Sequence, residues 1–277
     1  MDLNDVARQI EERLMGRRLT VPVLPSVAAM VLAVINDPDA DINSLADAIR
    51  RDQSLAGHVV KYANAPLLRA GAPVLTVGQA IGRLGMRTVA DVVFAACIGP
   101  RLFHVPLYAA RIQRIWQESL ATALWSHEIN HALGKPFEGA FLCGLLHQIG
   151  LPVVLQAVQD ILGPAPQPAP SLADIDSLLQ TFGQRAGLDV ATRWRLPAPV
   201  VEVIACLENP ASAPGNPALV AGVAAARDLA ALTLDAVGLR PDALAQMQSM
   251  RDAGLDQTAL SRLSDRATAV RETLGQV

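Results

Sequence analysis

Apolar residues recur along this chain at helical spacing. Leu3, Val6, Ala7, Ile10 and Leu14 share one face and predict an opening helix. "LTVPVLPSV" follows, and its prolines forbid a continuous helix there, with Pro25 shaping the next helix entry. From Ser26 the period returns through Val27, Met30, Val31, Val34 and Ile35, and "NDPDA" is expected to stop it. Leu45 and Ile49 mark a third helix, and Leu55, Val59, Val60 and Ala63 a fourth, with Asn64 expected to cap or turn the chain. A further pair is expected over Val77–Leu84 and Arg87–Ile98, parted by Gly85.

Gly99-Pro100 and "RLFHVPLY" read as a connection between two lobes. A long helix is expected over Ala109–Leu133, with Trp116, Leu120, Leu124, His127 and His131 on roughly one face. Gly134, followed by Lys135-Pro136, is expected to cap it. "FEGAFLCGLLHQIGLPVVL" predicts an apolar helix and its exit, and "GPAPQPAPS" a proline-rich loop over Gly163–Pro170. Ser171 with Asp174 predicts a capping-box start for the next helix. Later helical patterns run through Leu178, Trp194, Val200–Leu207, Leu219–Leu234 and Leu260–Leu274. No stretch alternates as a strand would, and no repeat of fixed period is present. The expected fold class is all-α.

Composition sharpens this picture. Of 277 residues, 51% are hydrophobic and 18% charged, which excludes a disordered chain. Aromatics are only 4%, so alanine and leucine carry the core, which favours closely packed helices over a β-sandwich. The net charge of −3 disfavours a strongly nucleic-acid-binding surface. No apolar stretch is expected to reach the ~18 residues of a membrane span, and "MDLNDVARQIEERLMGRR" lacks the apolar core of a signal peptide. Cys97, Cys143 and Cys206 sit in apolar runs and read as buried, reduced thiols. These features predict a cytoplasmic protein.

"SHEINHALGKPF" carries the most suggestive chemistry, because His127, Glu128 and His131 spell H-E-x-x-H. On a helix, i and i+4 imidazoles can share a zinc while the glutamate acts as general base. A third ligand is then needed, and in the extended pattern it falls at Phe137, which cannot ligate. Glu138 is one residue out of register, Pro136 restricts the turn, and no strand is evident upstream to hold a peptide. Zinc-protease chemistry is therefore read as a chance match.

Several longer segments point elsewhere. In the first half they are "LPSVAAMVLAVINDPDADINSLADAIRRDQSLAGHVVKYANA" and "TVGQAIGRLGMRTVADVVFA". In the second half they are "IWQESLATALWSHEINHALG", "FEGAFLCGLLHQIGLPVVL" and "GLDVATRWRLPAPVV". Their order and spacing resemble the HDOD family, helical signalling domains related to the HD metal-dependent phosphohydrolases. The resemblance implies a two-lobed helical fold, with an N-terminal helix bundle in residues 1–104 and an HD-like helical domain in 105–235. Residues 236–277 then form a helical tail, whose Leu255, Leu260, Leu263, Ala267, Val270 and Leu274 either cap the second lobe or meet a partner helix.

HD enzymes use an early histidine, a His-Asp pair and a later aspartate around metal, which acidifies water and polarises a phosphoryl oxygen. This chain departs from that pattern. "WQESLA" places Glu118 where relatives often carry histidine, and "HQIG" keeps His147 but puts Gln148 at the aspartate position. "TFGQRAG" and "ACLENPA" lack histidines often found there. Glu118 and His147 are possible ligands, as are His127 and His131 by residue type, but a neutral amide offsets no cation charge.

The resemblance and these departures together imply no cofactor and no catalysis. The expected role is a non-enzymatic bacterial signalling adaptor that contacts other signalling proteins, in motility, stress or cyclic-dinucleotide pathways. No receiver, GGDEF, EAL or kinase segment is recognisable, so a stand-alone member is expected. Two alternatives stay open. One is a residual phosphohydrolase acting on a nucleotide through Glu118 and His147. The other is DNA binding through "SLADAIRRDQSLAGHVVKYAN", with Arg50, Arg51, His58 and Lys61, against which Leu55, Val59 and Val60 read as core.

Overall fold

Capping side chains set several of the helix boundaries in the first hundred residues. The structure, a computed structural model, describes residues 3–36, 42–68, 71–134, 139–164 and 170–276, and no strand occurs among them. Most of the expected "NDPDA" stop, Lys135 to Glu138, and most of the proline-rich loop lie outside the described residues. Helix α1 spans Leu3–Met15, α2 Ser26–Asn36, α3 Ile42–Arg51, α4 Gln53–Ala63 and α5 Val77–Cys97.

Asp52 starts α4, its carboxylate accepting from the backbone N–H of Ser54 at 2.9 Å and Leu55 at 3.1 Å. These are donors that a first helical turn leaves unpaired. Asn64 ends α4 and also turns the chain. Its amide donates to the carbonyls of Val60 at 3.0 Å and Val74 at 2.7 Å, while its Oδ1 accepts from the Val74 N–H at 2.7 Å. Thr76 and Gln79 form a capping box at the start of α5. Gly85 interrupts that helix with φ 77° and ψ 156° at the predicted break, a conformation costly for any residue with a Cβ.

The chain continues with α6 Ala109–Ala132, α7 Ala140–Leu146, α8 Gly150–Leu162, α9 Leu172–Trp194, α10 Ala198–Cys206 and α11 Pro217–Leu234. Two short helices, α12 Pro241–Leu244 and α13 Gln248–Asp252, lead to α14 Gln257–Leu274. The expected capping box of Ser171 and Asp174 opens α9.

Helix α6 lies at the centre of these helices, and it is not one-faced as its apolar stripe suggests. Every residue from Ser119 to Ser126 is buried, because α7, α11 and α14 all pack against it. Trp125, off the predicted stripe, is fully buried and donates from Nε1 to Thr233 Oγ1 at 2.9 Å. An aromatic side chain of this size contributes upward of ~2 kcal/mol by leaving water.

"FEGAFLCGLLHQIGLPVVL" folds as two helices rather than one, broken at His147-Gln148-Ile149. The break lets Gly150 meet α9 backbone to backbone. A Cβ on Gly150 would lie 2.0 Å from the Gly183 carbonyl oxygen and 2.3 Å from the Gly187 nitrogen.

Both chain ends hold distant elements together. Helix α1 packs on α8 and α9, and Glu11 forms a two-pronged ion pair with Arg185 at 2.5 and 2.8 Å. Arg193 donates to the Arg17 and Leu19 carbonyls, and Trp194 Nε1 to that of Pro22 at 2.9 Å. Helix α14 lies along α6 with Leu260, Leu263, Ala267 and Val270 buried, and Thr273 Oγ1 accepts from the Leu67 N–H at 3.2 Å.

Two apolar expectations need correction. The segments Ala140–Leu162 and Pro217–Leu234 are long and apolar enough, by length and composition, to cross a membrane. Their most apolar windows are 83% and 61% buried inside the fold, so this apolarity serves core packing. Cys143 is buried, but Cys97 and Cys206 are partly exposed; all three thiols are free.

Candidate functional site

The positions that would carry HD chemistry come from α6 and from the turn between α7 and α8. Glu118 projects from α6 with 35% of its side chain exposed and accepts from Arg114 Nε at 2.6 Å. Arg114 also reaches Asp235 at 3.2 Å, so the glutamate belongs to an ion-pair chain joining α6 to the end of α11. Gln148 donates its amide hydrogens to the Ile115 carbonyl at 3.0 Å and to Ser119 Oγ at 3.1 Å, which brackets the α7–α8 turn against α6. His147 is buried, and its Nδ1 lies 2.7 Å from the Gly144 carbonyl, so Nδ1 carries the proton. Burial pushes its pKa down to about 4, with the Gly144 hydrogen bond opposing that shift.

As a donor set for a divalent cation these residues do not fit. The carboxylate is held by a guanidinium, and the amide that stands for the aspartate is turned as a donor toward α6. Among the described residues no three His, Cys, Asp or Glu side chains gather as metal ligands would.

The H-E-x-x-H residues lie about two and a half to three and a half turns beyond Glu118 along α6. Glu128 is buried and accepts from Arg266 Nε of α14 at 2.7 Å, while His127 Nδ1 stands 3.5 Å from its other oxygen. Burial alone raises a carboxyl pKa, but the bonds from His127 and Arg266 outweigh it and leave Glu128 below its ordinary value. His131 is exposed, with its ring centroid 4.9 Å from that of His127. Both imidazoles border a cavity of about 500 Å³ where α5, α6 and α14 meet. Arg83, Thr88 and Arg266 also line it. No sequence motif links these three, because Arg83 and Thr88 belong to α5 and Arg266 to the distant α14. Phe137 and Glu138, weighed above as third ligands, lie outside the described residues.

The candidate DNA-binding stretch forms α3 and α4. Arg50, Arg51, His58 and Lys61 are exposed, while Leu55, Val59 and Tyr62 turn into the core and Val60 is half-buried. Arg50 is paired with Asp47 at 2.7 Å. Next to this face a cleft of about 500 Å³ opens between α4 and α6, bordered by Ser54, His58 and Lys61 on one side and Gln113 and Trp116 on the other.

Comparison with known proteins agrees with this architecture. A family model described as the HDOD domain matches residues 21–210. An uncharacterised protein of Treponema pallidum (strain Nichols) is 24% identical over 202 residues, covering 70% of this chain but 39% of its own length. The chain thus spans about two-fifths of that relative. An HDOD domain protein of unknown function from Geobacter sulfurreducens superposes with a TM-score of 0.71 at 22% identity, covering 99% of both chains. A Shewanella amazonensis SB2B protein, provisionally named a metal-dependent phosphohydrolase, gives 0.71 at 19% identity over 98% of this chain and 99% of its own. A Marinobacter aquaeolei VT8 protein, provisionally named a signal transduction protein, gives 0.66 at 22% identity over 99% of this chain and 66% of its own. At these identities the superpositions establish the fold, and the match over residues 21–210 establishes the family: this chain belongs to the HDOD domain family.

Proposed function

We propose that this chain is a non-enzymatic regulator of bacterial signal transduction, acting in the cytoplasm through contacts with other signalling proteins. The observation that carries the reading is the use made of Gln148. The residue at the aspartate position of an HD pair donates to the Ile115 carbonyl and Ser119 Oγ, so it works as a bracket in the fold. Glu118 and His147 are likewise committed, one to Arg114 and the other to the Gly144 carbonyl. Motility, stress and cyclic-dinucleotide pathways are the settings the family resemblance suggests.

The hydrolase reading draws on the names given to the Shewanella relatives. It requires Glu118 to leave Arg114 and a buried, neutral His147 to face a metal without an acidic partner. Assay of the purified chain against a chromogenic phosphodiester, with manganese, magnesium or zinc supplied in turn, separates the two. The adaptor reading expects no turnover above buffer. Metal-dependent turnover that disappears in both Glu118→Ala and His147→Ala would overturn it.

A further inference from the structure

The cavity where α5, α6 and α14 meet combines cationic walls with an apolar floor. Arg83, Arg266, His127 and His131 supply the walls, with the hydroxyl of Thr88 beside them, and Leu67, Leu68 and Leu84 supply the floor. Among the described residues Glu128 is the one carboxylate in the lining, and its charge is matched by Arg266. Asp91 is buried on α5, where the charges of Arg87 and His127 act on it. Two guanidiniums against one lining carboxylate leave surplus positive charge even with both imidazoles neutral, on a chain whose net charge is −3.

Both guanidiniums are held in place before any ligand arrives. Arg83 donates to the Ala63 and Ala72 carbonyls, which orient its charge without neutralising it. Arg266 is fixed by Glu128 and by the Leu67 carbonyl at 2.6 Å. Guanidiniums already ordered beside an open pocket can attract an oxyanion without first losing side-chain freedom. The same geometry disfavours a metal ion, since both guanidiniums repel a divalent cation and Glu128 is already engaged. A volume of about 500 Å³ lies within the ~300–1,000 Å³ range of small-molecule sites.

We infer that this cavity binds a small organic phosphate of about mononucleotide size. Its phosphate lies among Arg83, Arg266, His127 and His131, and its apolar part rests on the three leucines. Because the walls come from both lobes and from α14, occupancy would tie these elements together.

The test is calorimetric titration of the full chain, at constant ionic strength, with adenosine 5′-monophosphate, inorganic phosphate and adenosine. The expected result is saturable binding of the nucleotide, weaker binding of phosphate and none of adenosine. Arg83→Gln and His131→Ala, each checked for native circular dichroism, should weaken nucleotide binding roughly tenfold or more, as loss of bonds to a charged group predicts. His131 is exposed, so its replacement leaves the core intact. The proposal is overturned if the nucleotide does not bind, binds no more tightly than phosphate, or binds both variants as well as the parent. None of these outcomes bears on turnover at the HD positions, because neither Arg83 nor His131 occupies one.

Discussion

Arg266 Nε donates to the Glu128 carboxylate at 2.7 Å, joining helices whose residues stand 138 apart in sequence. The same guanidinium reaches the Leu67 carbonyl at 2.6 Å, so one side chain of α14 fastens α6 to the segment that follows α4. Glu128 is the residue a motif search would assign to catalysis. Its structural role is to anchor that fastening.

Replacing Arg266 tests the role. Arg266→Gln leaves a buried carboxylate without its main partner, and because Arg266 is 42% exposed the loss is discounted for solvent screening to about 2 kcal/mol. The folded-state pKa of Glu128 lies below its ordinary value of 4.5. The contribution is therefore present above that value and is lost as pH falls through the lower folded value. Urea denaturation should show the gap between parent and variant at neutral pH and its shrinkage in acid. An equal gap at both would contradict the ion-pair account.

His147 and Asp91 should pull stability in opposite directions over nearly the same pH range. His147 protonates near 6.5 when unfolded but about 4 when folded, so acidification between those values favours the unfolded state. Burial raises the Asp91 carboxyl from 3.8 to about 7 despite the pull of Arg87 and His127. Its contribution is present below 3.8 and is lost as pH rises toward 7. Each slope approaches ~1.4 kcal/mol per pH unit, so the pair largely cancels in the parent. His147→Gln should unmask stability that falls as pH rises through this range, and Asp91→Asn stability that falls as pH drops. Denaturation curves collected from pH 4 to 6.5 check both signs; parallel profiles for parent and variants would contradict the assignment.

Gly150→Ala should be among the most damaging single-methyl changes in the protein. The new Cβ would meet backbone atoms of Gly183 and Gly187, which cannot move without separating α8 from α9. A loss of about 3 kcal/mol or more is expected. Gly57→Ala in exposed α4 meets nothing within 4 Å and should stabilise by about 0.5–1 kcal/mol. Chemical denaturation of the pair measures the contrast, and equal effects would mean that α8 and α9 are further apart.

The sequence was most informative where structure is set locally. Helical periodicity located α1 to α6, and the Gly85 break and the Ser171–Asp174 capping box both fell where local chemistry put them. Features that depend on distant contacts were not legible. The break at His147-Gln148-Ile149 accompanies the approach of Gly150 to α9, and the burial of α6 on all sides follows from α11 and α14 packing there. The same division holds for the candidate sites. Glu118, His147 and Gln148 could be named because they lie in contiguous segments that resemble a family. Arg83, Thr88 and Arg266 form a cavity wall only after three helices converge, and no short motif records that.

The measurement to make first is the metal content of natively purified protein, by elemental analysis after desalting without chelator. An HDOD chain whose Glu118, His147 and Gln148 serve the fold should carry zinc, iron and manganese far below one per chain. Near-stoichiometric metal that is lost in His147→Ala would contradict the non-enzymatic account. If it were lost only in His127→Ala, the H-E-x-x-H segment would hold it, and the organic-phosphate site would fall as well.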